Sequence, residues 1–458
     1  MPIDTYYDQG GAVYNVKAYG ATGNGSTDDK TAIQSAITAA AGGGIVFFPR
    51  GTYRINSSLS VGADVTLEGV STFRYSGGSQ INFHGSGTAI LIGADRAALR
   101  GIRVVNSAGT NGLVGVDTQA KTSLEFELVE VSGFQTGFKC DGSFWVTWRR
   151  CTIQGASASG SAGISSSVNF NANVVENCTF IAVAGTAWRP IDVNRNSSGS
   201  SSGSVIRDND FSGGAASSGS SGIDFYCIDL GTSCFGFLVT GNRLEGDGIG
   251  FLRQATSTGR GLTISGNMIA GSDVVPISRG IEIEGAGVEI GLNTWANATV
   301  AIRLDASATR VTVAPQEAVN AVTTVLQNDS RNDLQLRTYN DRTDAFANLG
   351  TTPQGVRGGA FLPYRSVTHF TLVTPQGHSG TFSIYTGLES GVTYRYTAAG
   401  GANCTVTQST PGEFTITVQG TATSFYLTYA GWQNTATLRA AAATTGTTLL
   451  VSHLIPLG

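Results

Sequence analysis

The stretch that decides the fold runs from Tyr14 to Tyr53 and reads YNVKAYGATGNGSTDDKTAIQSAITAAAGGGIVFFPRGTY. It predicts a strand, a polar turn, a helix and a second strand, with Thr27 or Asp28 accepting hydrogen bonds from the first free N–H groups of the helix. Glycines 42–44 end the helix. Its apolar face consists of Ile33, Ala36, Ile37 and Ala40. A single short helix before so many strand-like residues predicts a lid over an open β end, because exposed strand edges recruit other chains.

A repeat follows this stretch. In each unit an apolar residue precedes an Asn, Cys or aliphatic residue by three positions, and another apolar residue comes two positions later. The units are Leu99-Ile102-Val104, Phe126-Val129-Val131, Trp148-Cys151-Ile153, Val175-Cys178-Phe180, Ile206-Asn209-Phe211, Val239-Asn242-Leu244, Ile264-Asn267-Ile269 and Ile290-Asn293-Trp295. A spacing of about 20–35 residues, with short apolar alternation inside each unit, indicates the coils of a parallel β-helix. The four asparagines at the middle position are predicted to stack as an internal amide ladder.

A second strand follows in most coils, with apolar residues directed inward and the residue between them directed outward. Aligning these strands places Asp192 and Asp224 at the same outward position in neighbouring coils, followed by Gly250 and then Glu282. Carboxylates one coil apart would be about 5 Å apart, which suits a retaining glycosidase, whereas a skipped coil suits an inverting one. Close carboxylates also raise the pKa of one of them, which supplies a general acid. Asp192, Asp224 and Glu282 are therefore catalytic candidates, and a solvated polar ladder is the alternative.

Two Ser/Gly-rich excursions, residues 194–204 and 212–221, leave the same coils, and long loops on a regular scaffold commonly carry function. Glu245 and Asp247 form a second pair of acid candidates. Cations that could hold an acidic sugar are Arg189, Arg195, Arg253 and Arg279. Aromatic side chains that could stack on sugar rings are Trp145, Trp188 and Tyr226. For these three rings, packing in the core is the preferred alternative.

A different outward column has alternating charge and is interpreted as a structural ladder of ion pairs. Its members are Arg100, Glu127, Arg149, Glu176 and Arg207. Cys140, Cys151 and Cys178 are predicted to be reduced core residues, while a Cys227–Cys234 disulfide is left open. The sequence predicts no metal site, because no CxxC spacing occurs and the histidines are scattered. It indicates no cofactor.

Composition excludes several classes of protein. With 41% hydrophobic and only 13% charged residues, the chain is not disordered. The net charge is −4 and no Lys/Arg run occurs, so no nucleic-acid partner is predicted. No apolar run is long enough for membrane insertion. The N-terminus lacks the pattern of a signal peptide. We therefore expect an extracellular protein released by lysis or on a particle, or a chain that lacks its leader.

The ordered pattern Tyr-Gly-Ala-x-Gly-Asn-Gly…Asp-Asp…Ala-Ile-Gln-x-Ala, followed by Phe-Pro-x-Gly-x-Tyr, resembles the N-terminal cap of pectate-lyase-like right-handed β-helix proteins. Phage tailspike depolymerases are prominent among them. The resemblance implies a right-handed parallel β-helix with an N-terminal helical cap. From about Gly355, alternating strands separated by Gly/Pro/Ser turns predict a C-terminal antiparallel β-sandwich, so the expected fold is all-β. The expected domains are a lead-in and cap (1–56), a catalytic or binding β-helix (57–315), a connector (316–354) and a sandwich that trimerises or binds carbohydrate (355–458).

For function, the resemblance implies a homotrimer, attached to a virion tail or baseplate, that binds and cleaves a bacterial surface polysaccharide such as a capsule, exopolysaccharide or O-antigen. It also implies that a virion-anchoring head domain is missing from this chain or was removed. The superfamily includes lyases, hydrolases, epimerases and non-catalytic binders, so membership does not select the chemistry. Hydrolysis is the first expectation, because stacked acids are easier to find than an Arg/Lys/His elimination set. A polysaccharide lyase and a non-catalytic receptor-binding fibre are the alternatives.

Overall fold

A computed structural model describes the backbone of residues 12–70, 77–109, 112–156, 161–181, 188–193, 200–212, 226–231, 233–246, 250–255, 261–271, 276–305, 307–314, 316–328 and 334–336, and of nine strands after residue 354. Side chains are described in these ranges up to residue 323 and at Leu326, apart from that of Cys227. The chain divides into two compact units, Met1–Leu262 with Asn267–Ser278, and Thr263–Gly266 with Arg279–Gly458.

The N-terminal cap forms as predicted. It contains a 3-10 helix, Val16–Tyr19, and an α-helix, Lys30–Ala39, whose Ile33, Ala36 and Ile37 are buried. Asp28 accepts a hydrogen bond from the N–H of Lys30 at 3.2 Å, while Asp29 holds the preceding turn through the N–H groups of Thr22 and Gly23. Of the two predicted acceptors, Asp28 therefore bonds the first N–H group of the helix, whereas the N-cap position itself is Asp29, whose side chain makes no cap hydrogen bond.

The α-helix covers an open strand edge. The side-chain amide of Gln34 donates to the carbonyl of Ser60 at 2.9 Å and accepts from its N–H at 3.0 Å. Ser60 lies in Leu59–Val61, which pairs in parallel with Gly87–Ile92. A side chain thus takes the place of a missing strand, which is how a lid blunts an edge that would recruit another chain.

Replacing Ile37 by Asp is expected to prevent folding or to cause aggregation. Ile37 is 3% exposed, and an unpaired carboxylate there costs several kcal/mol against a total stability of about 5–15 kcal/mol. Ser35→Asp places the same charge on the exposed face of the helix and serves as the matched control. Solubility and melting curves measure the effect. A soluble Ile37→Asp chain with wild-type melting would show that this helix does not cover the core.

The first unit is built from three stacks of parallel strands, which we call the first, second and third stacks. The first stack is Ala12–Asn15, Gly44–Phe48, Val65–Gly69, Ala98–Arg100, Glu125–Glu127, Thr147–Arg149, Val174–Glu176, Val205–Arg207 and Leu238–Thr240. The second stack is Asn24–Asp28, Gly51–Ile55, Ser79–Phe83, Ile102–Asn106, Glu130–Ser132, Thr152–Gln154, Thr179–Ile181, Asp210–Ser212, Arg243–Glu245 and Met268–Ala270. The third stack is Leu59–Val61, Gly87–Ile92, Gly112–Asp117, Thr136–Lys139, Ser161–Ser166, Trp188–Val193, Tyr226–Leu230 and Gly250–Gln254. From Gly44 to Gln254 each coil contributes one strand to each stack, so the predicted parallel β-helix is confirmed.

The core of this unit contains the predicted amide ladder. The Asn209 amide donates to Asn242 Oδ1 at 2.9 Å, and the Asn242 amide donates to Asn267 Oδ1 at 3.0 Å. All three side chains are 1% exposed, and each also bonds to backbone groups of a turn. In the second unit, Asn293 donates to Gln316 Oε1 at 3.4 Å. Asparagine occupies these positions because its amide can donate and accept in one buried column.

In the second unit, Ala286–Ile290, Thr309–Val313 and Leu334–Leu336 form a parallel stack, and Thr294–Leu304 pairs in parallel with Glu317–Asn328. Parallel pairing therefore continues into the segment that was expected to be a connector. Leu262–Ser265 and Ile277–Ile283 each contain residues of both units. The predicted domain boundaries stay predictions.

The C-terminal strands form two antiparallel sheets, as the expected sandwich requires. One sheet has the order Gly355–Val356, Thr437–Ala443, Gly446–Ser452, Glu413–Val418 and Cys404–Thr410. The other has the order Thr393–Gly400, Ser379–Gly387, Ser366–Val373 and Tyr426–Ala430.

Candidate active site

The third stack carries the predicted acids, but with a different register. Asp192 lies in Trp188–Val193, and its Cα partners are Ser165 in the preceding coil and Asp229 in the following coil. Asp229 is then paired with Arg253. The predicted alignment of Asp192 with Asp224 and Gly250 is therefore wrong, and Asp224 itself lies outside the described residues. Between residues 222 and 230 the sequence contains Ile-Asp twice, at 223–224 and 228–229, and an alternation of period two fits both.

Asp192 and Asp229 thus form a pair of carboxylates on neighbouring strands, which lie about 4.8 Å apart in a sheet. Asp192 is half-buried, whereas Asp229 is 1% exposed although its register position faces outward. Arg189, on the same strand as Asp192, places its Nε 3.4 Å from Asp229 Oδ2, and its side chain is 8% exposed. A buried cation next to the pair compensates part of the cost of holding two acids together.

The outward column of the third stack sets this pair apart from the rest of the stack. Its successive members are Asp117, Lys139, Ser165, Asp192, Asp229 and Arg253. Lys139 Nζ lies 3.5 Å from Asp117 and 3.4 Å from Asp141. The charge of Asp117, at the N-terminal end of the column, is therefore balanced by a cation. Asp192 and Asp229 are the two neighbours of like charge in this described column. A structural ladder has no reason to place like charges together, whereas catalytic sites commonly do.

The first stack supplies the comparison. Its predicted column of alternating charge is confirmed in register, from Arg100 through Glu127, Arg149 and Glu176 to Arg207. Glu176 accepts from Arg149 at 2.6 Å and from Arg207, so it joins three coils. At the N-terminal end of this column the ion pairs differ from the register neighbours, because Arg100 pairs with Glu125 and Glu127 pairs with Arg150.

Glu176→Gln is expected to lower the melting temperature at neutral pH and to have little effect in acid. Burial by itself raises the pKa of Glu176, but hydrogen bonds from Arg149 and Arg207, with their positive charges, outweigh it and hold this pKa below its usual value. The resulting stability is complete above the unfolded-state pKa of about 4.3 and is lost as pH falls through the lower folded-state pKa.

We expect a loss of about 1 kcal/mol at pH 7, because both arginines are nearly half exposed and their charges are screened. Melting curves from neutral to acidic pH measure it. Glu245→Gln, at a side chain that is 65% exposed, is the control that should change little at any pH. A Glu176→Gln deficit that persists undiminished in strong acid would contradict the electrostatic explanation.

Apart from Trp145, the other candidates of the first unit fall into three groups: buried aromatic residues, residues outside the described ranges and an exposed acid of the second stack. Trp188 and Tyr226 are each 3% exposed and pack in the core, where Trp188 lies 6.3 Å from the ring of Phe180. Burial at that level leaves no open ring face for a sugar. Arg195 and Asp247 lie outside the described residues. Glu245 is an exposed member of the second stack, paired with Arg243, so it does not share a stack with Asp192.

Glu282 and Arg279 belong to the second unit. The Glu282 side chain is 5% exposed and forms ion pairs with Arg279, at 3.2 Å, and with Arg303. Two guanidinium groups on one buried carboxylate form an anchor of the kind seen at Glu176.

Two residues were undervalued by sequence reasoning. Asp229 had a signal, because Ile228-Asp229-Leu230 repeats the in-out-in pattern. Trp145, for which core packing was preferred, is 64% exposed. Cys140, Cys151, Cys178 and Cys234 are buried free thiols, as predicted for the first three. The side chain of Cys227, the other member of the disulfide that the sequence left open, lies outside the described ones. Within the described ranges, no group of three or more His, Cys, Asp and Glu side chains is arranged to hold a metal ion. No helix in the described part of the chain has the length and apolarity to cross a membrane.

Comparison with known proteins gives a family match over most of the first unit. The family described as rhamnogalacturonase A/epimerase, pectate lyase-like, matches residues 13–275. Alginate lyase 7 of Azotobacter vinelandii is 34% identical over 151 residues, which are 31% of this chain and 17% of that protein. Mannuronan C5-epimerase AlgE1 of the same organism is 55% identical over 47 residues, which are 10% of this chain and 3% of that protein. The chain thus spans less than a fifth of the length of these relatives.

Solved structures with the same fold include ORF18 of Geobacillus virus E2, with a TM-score of 0.51 and 13% identity over 97% of this chain and 79% of that one. They also include a hyperthermoactive exopolygalacturonase from Thermotoga maritima, with a TM-score of 0.51 and 12% identity over 71% of this chain and 90% of that one.

Proposed function

We propose that this chain, which belongs to the rhamnogalacturonase A/epimerase, pectate lyase-like family, binds and hydrolyses a bacterial surface polysaccharide at Asp192 and Asp229. The observation that carries the proposal is the register of the third stack, which makes two aspartates direct neighbours. The ion-paired column of the first stack provides the internal contrast, because there every pair of neighbours has opposite charge.

The spacing of the pair favours a retaining mechanism. Neighbouring strands bring two carboxyl groups to about 5 Å, the separation used for double displacement, whereas an inverting enzyme needs room for a water molecule between them. Asp192, which is half-buried, is the acid and base: it protonates the glycosidic oxygen and later deprotonates the attacking water. Asp229 is the second carboxylate: it attacks the anomeric carbon as the leaving group departs and forms a glycosyl-enzyme, which the water activated by Asp192 then hydrolyses. Because Asp229 is 1% exposed, binding of the substrate has to uncover it. The ion pair between Asp229 and Arg189 holds the carboxylate in place.

Cleavage by β-elimination is the second candidate, and a specific observation favours it. Arg189 lies beside the two aspartates, and Arg253 is the register neighbour of Asp229. Cations in that position suit a uronic acid, whose carboxylate must be neutralised before a proton leaves the adjacent carbon. The partial relatives named as an alginate lyase and a mannuronan epimerase support an acidic substrate of this kind.

The deciding experiment incubates the chain with purified bacterial capsular polysaccharides and exopolysaccharides, together with alginate and polygalacturonate. New reducing ends without ultraviolet absorbance of an unsaturated product are expected for hydrolysis. New reducing ends together with that absorbance would show that the chain cleaves by elimination and not by hydrolysis. Retention of a polymer without any cleavage would overturn the enzymatic proposal and favour a receptor-binding fibre. A homotrimer on a virion tail stays a prediction of the family resemblance.

A further inference from the structure

Trp145 differs from the other described tryptophans in its environment. It is 64% exposed, whereas Trp148, Trp188 and Trp295 are 3% exposed or less. It lies in the turn that joins the third-stack strand Thr136–Lys139 to the first-stack strand Thr147–Arg149. An exposed aromatic side chain by itself is ordinary, so its backbone and its neighbours carry the argument.

The backbone at Trp145 is left-handed, with φ of +54°. The same corner is left-handed in successive coils, and the positions are Asp64, Arg96, Ser123, Trp145, Ala172, Gly203, Gly236 and Gly261. The N–H of Trp145 donates to the carbonyl of Asn171, directly before Ala172, and the N–H of Ala172 donates to the carbonyl of Ser202, directly before Gly203. Glycine meets this requirement without strain, whereas a bulky side chain is disfavoured there. A tryptophan at such a corner indicates that its side chain has a use.

The support beneath this corner is rigid. Asn173 is fully buried, and its Oδ1 accepts a hydrogen bond from the N–H of Val146 at 2.8 Å. The amide of Asn173 also donates to the carbonyl of Ser143 at 3.2 Å. The backbone is therefore held on both sides of Trp145, which means that an exposed ring is presented on a preformed base. Preformed groups bind with a smaller loss of conformational entropy.

The next two coils offer polar groups and open space. Asn171 Oδ1 accepts from the N–H of Ser202 at 2.6 Å and from its hydroxyl at 3.2 Å, and both residues are accessible to solvent. A Cβ built on Gly203 would meet nothing within 4 Å. One aromatic ring beside amide and hydroxyl groups suits a sugar, which has apolar C–H faces and polar edges. A docked protein would need a larger apolar patch.

The position relative to the aspartate pair fits a long ligand. Lys139 pairs with Ser165, and Ser165 pairs with Asp192, so the strand that leads into Trp145 lies two coils before the strand of Asp192. Two strand spacings amount to about 10 Å along the helix axis. A polymer that follows the axis could contact both places with different sugar rings.

We propose that Trp145 is a stacking platform for a sugar ring of a bound polysaccharide, at a distance from the bond that is cleaved. The inference rests on the proposed polysaccharide ligand but assigns Trp145 no part in catalysis. The Trp145 ring raises the affinity of the protein for long chains and leaves the turnover of short oligomers unchanged.

The test is Trp145→Gly, because glycine removes the ring and suits the left-handed backbone. We expect an equal or higher melting temperature, unchanged turnover of short oligomers, and about fivefold to tenfold weaker binding of the long polymer. Binding is measured in the Asp192→Asn background, so that cleavage does not interfere, with the polymers named for the activity assay. Trp145→Phe should restore most of the affinity. Val168→Ala, at an apolar side chain that is 37% exposed in the next coil, is the matched control and should bind normally.

The outcomes separate the two proposals. If the wild-type chain cleaves polymer and Trp145→Gly binds it equally well, the platform is wrong and the proposed function stands. If the chain retains polymer without cleavage and Trp145→Gly loses that retention, the platform stands and the enzymatic proposal falls. A lower melting temperature of Trp145→Gly, with unchanged binding, would assign the ring a structural role. A wild-type chain that neither binds nor cleaves any polymer overturns both.

Discussion

Asp192→Asn is expected to lower the turnover of the cognate polysaccharide by about 10²–10⁴-fold, the loss that follows removal of a general acid or base. Asparagine keeps the volume of the side chain but can neither release nor accept the proton. Asp192 is half-buried on the outward face of the third stack, so its replacement should leave the packed core intact. We expect wild-type melting and retained polymer binding, because contacts with a long sugar chain are spread over many residues.

Asp117→Asn is the matched control, since Asp117 occupies the same outward column three coils away and pairs with Lys139. Initial rates of reducing-end formation, with melting curves beside them, measure both variants. Near-normal turnover by Asp192→Asn would remove this residue from the mechanism and with it the proposed site. Asp229→Asn is a poorer probe, because Asp229 is buried against Arg189 and a broken buried ion pair costs about 3–5 kcal/mol of folding stability.

Asn242→Ala should produce the largest loss of stability at a single polar position of the first unit. Asn242 Oδ1 accepts from the backbone N–H and the amide of Asn209, and its own amide donates to the carbonyl of Ile206. The substitution leaves at least the N–H of Asn209 and the carbonyl of Ile206 buried without these bonds. At about 1–3 kcal/mol for each buried group, we expect a loss of about 2–6 kcal/mol.

Asn242→Leu separates hydrogen bonding from volume, because leucine fills nearly the same space without polar atoms. If the ladder stabilises through its hydrogen bonds, Leu and Ala should lose stability alike. Urea unfolding midpoints and unfolding rates measure both variants, since a long β-helix need not unfold reversibly. Recovery of wild-type stability in Asn242→Leu would show that the asparagines act as space fillers.

The asparagine ladder is a part of the structure that could be predicted well from the sequence. An amide ladder needs one residue type at one place in each coil that it spans, and the apolar residues that flank it repeat the inward pattern. The charge column from Arg100 to Arg207 was predictable for the same reason, because each member sits beside an inward residue of the repeat. The exact ion pairs were not, since long side chains at neighbouring coils have several partners within reach, as Arg100 and Glu127 illustrate.

The candidate site could not be predicted from single coils, because the pairing of strands between coils decides which acids are neighbours. Ile223-Asp224 and Ile228-Asp229 both satisfy the alternation of an outward acid between apolar residues. Only strand pairing selects Asp229 as the partner of Asp192. This register has a chemical consequence, because the residue paired with the second aspartate in the next coil is Arg253 and not Gly250.

The sequence by itself determined that this protein is a parallel β-helix under a helical lid, and it identified which residues of each coil face inward. These features follow from local periodicity, from capping and from the needs of buried amides. The tertiary structure alone decided the register between coils and the exposure of each outward side chain. Loops of variable length separate the coils and absorb any shift in register, so pairing is settled by the fit of whole strands. Exposure depends on what packs over a position, which is why an outward aspartate, Asp229, is buried and a tryptophan, Trp145, is open to solvent.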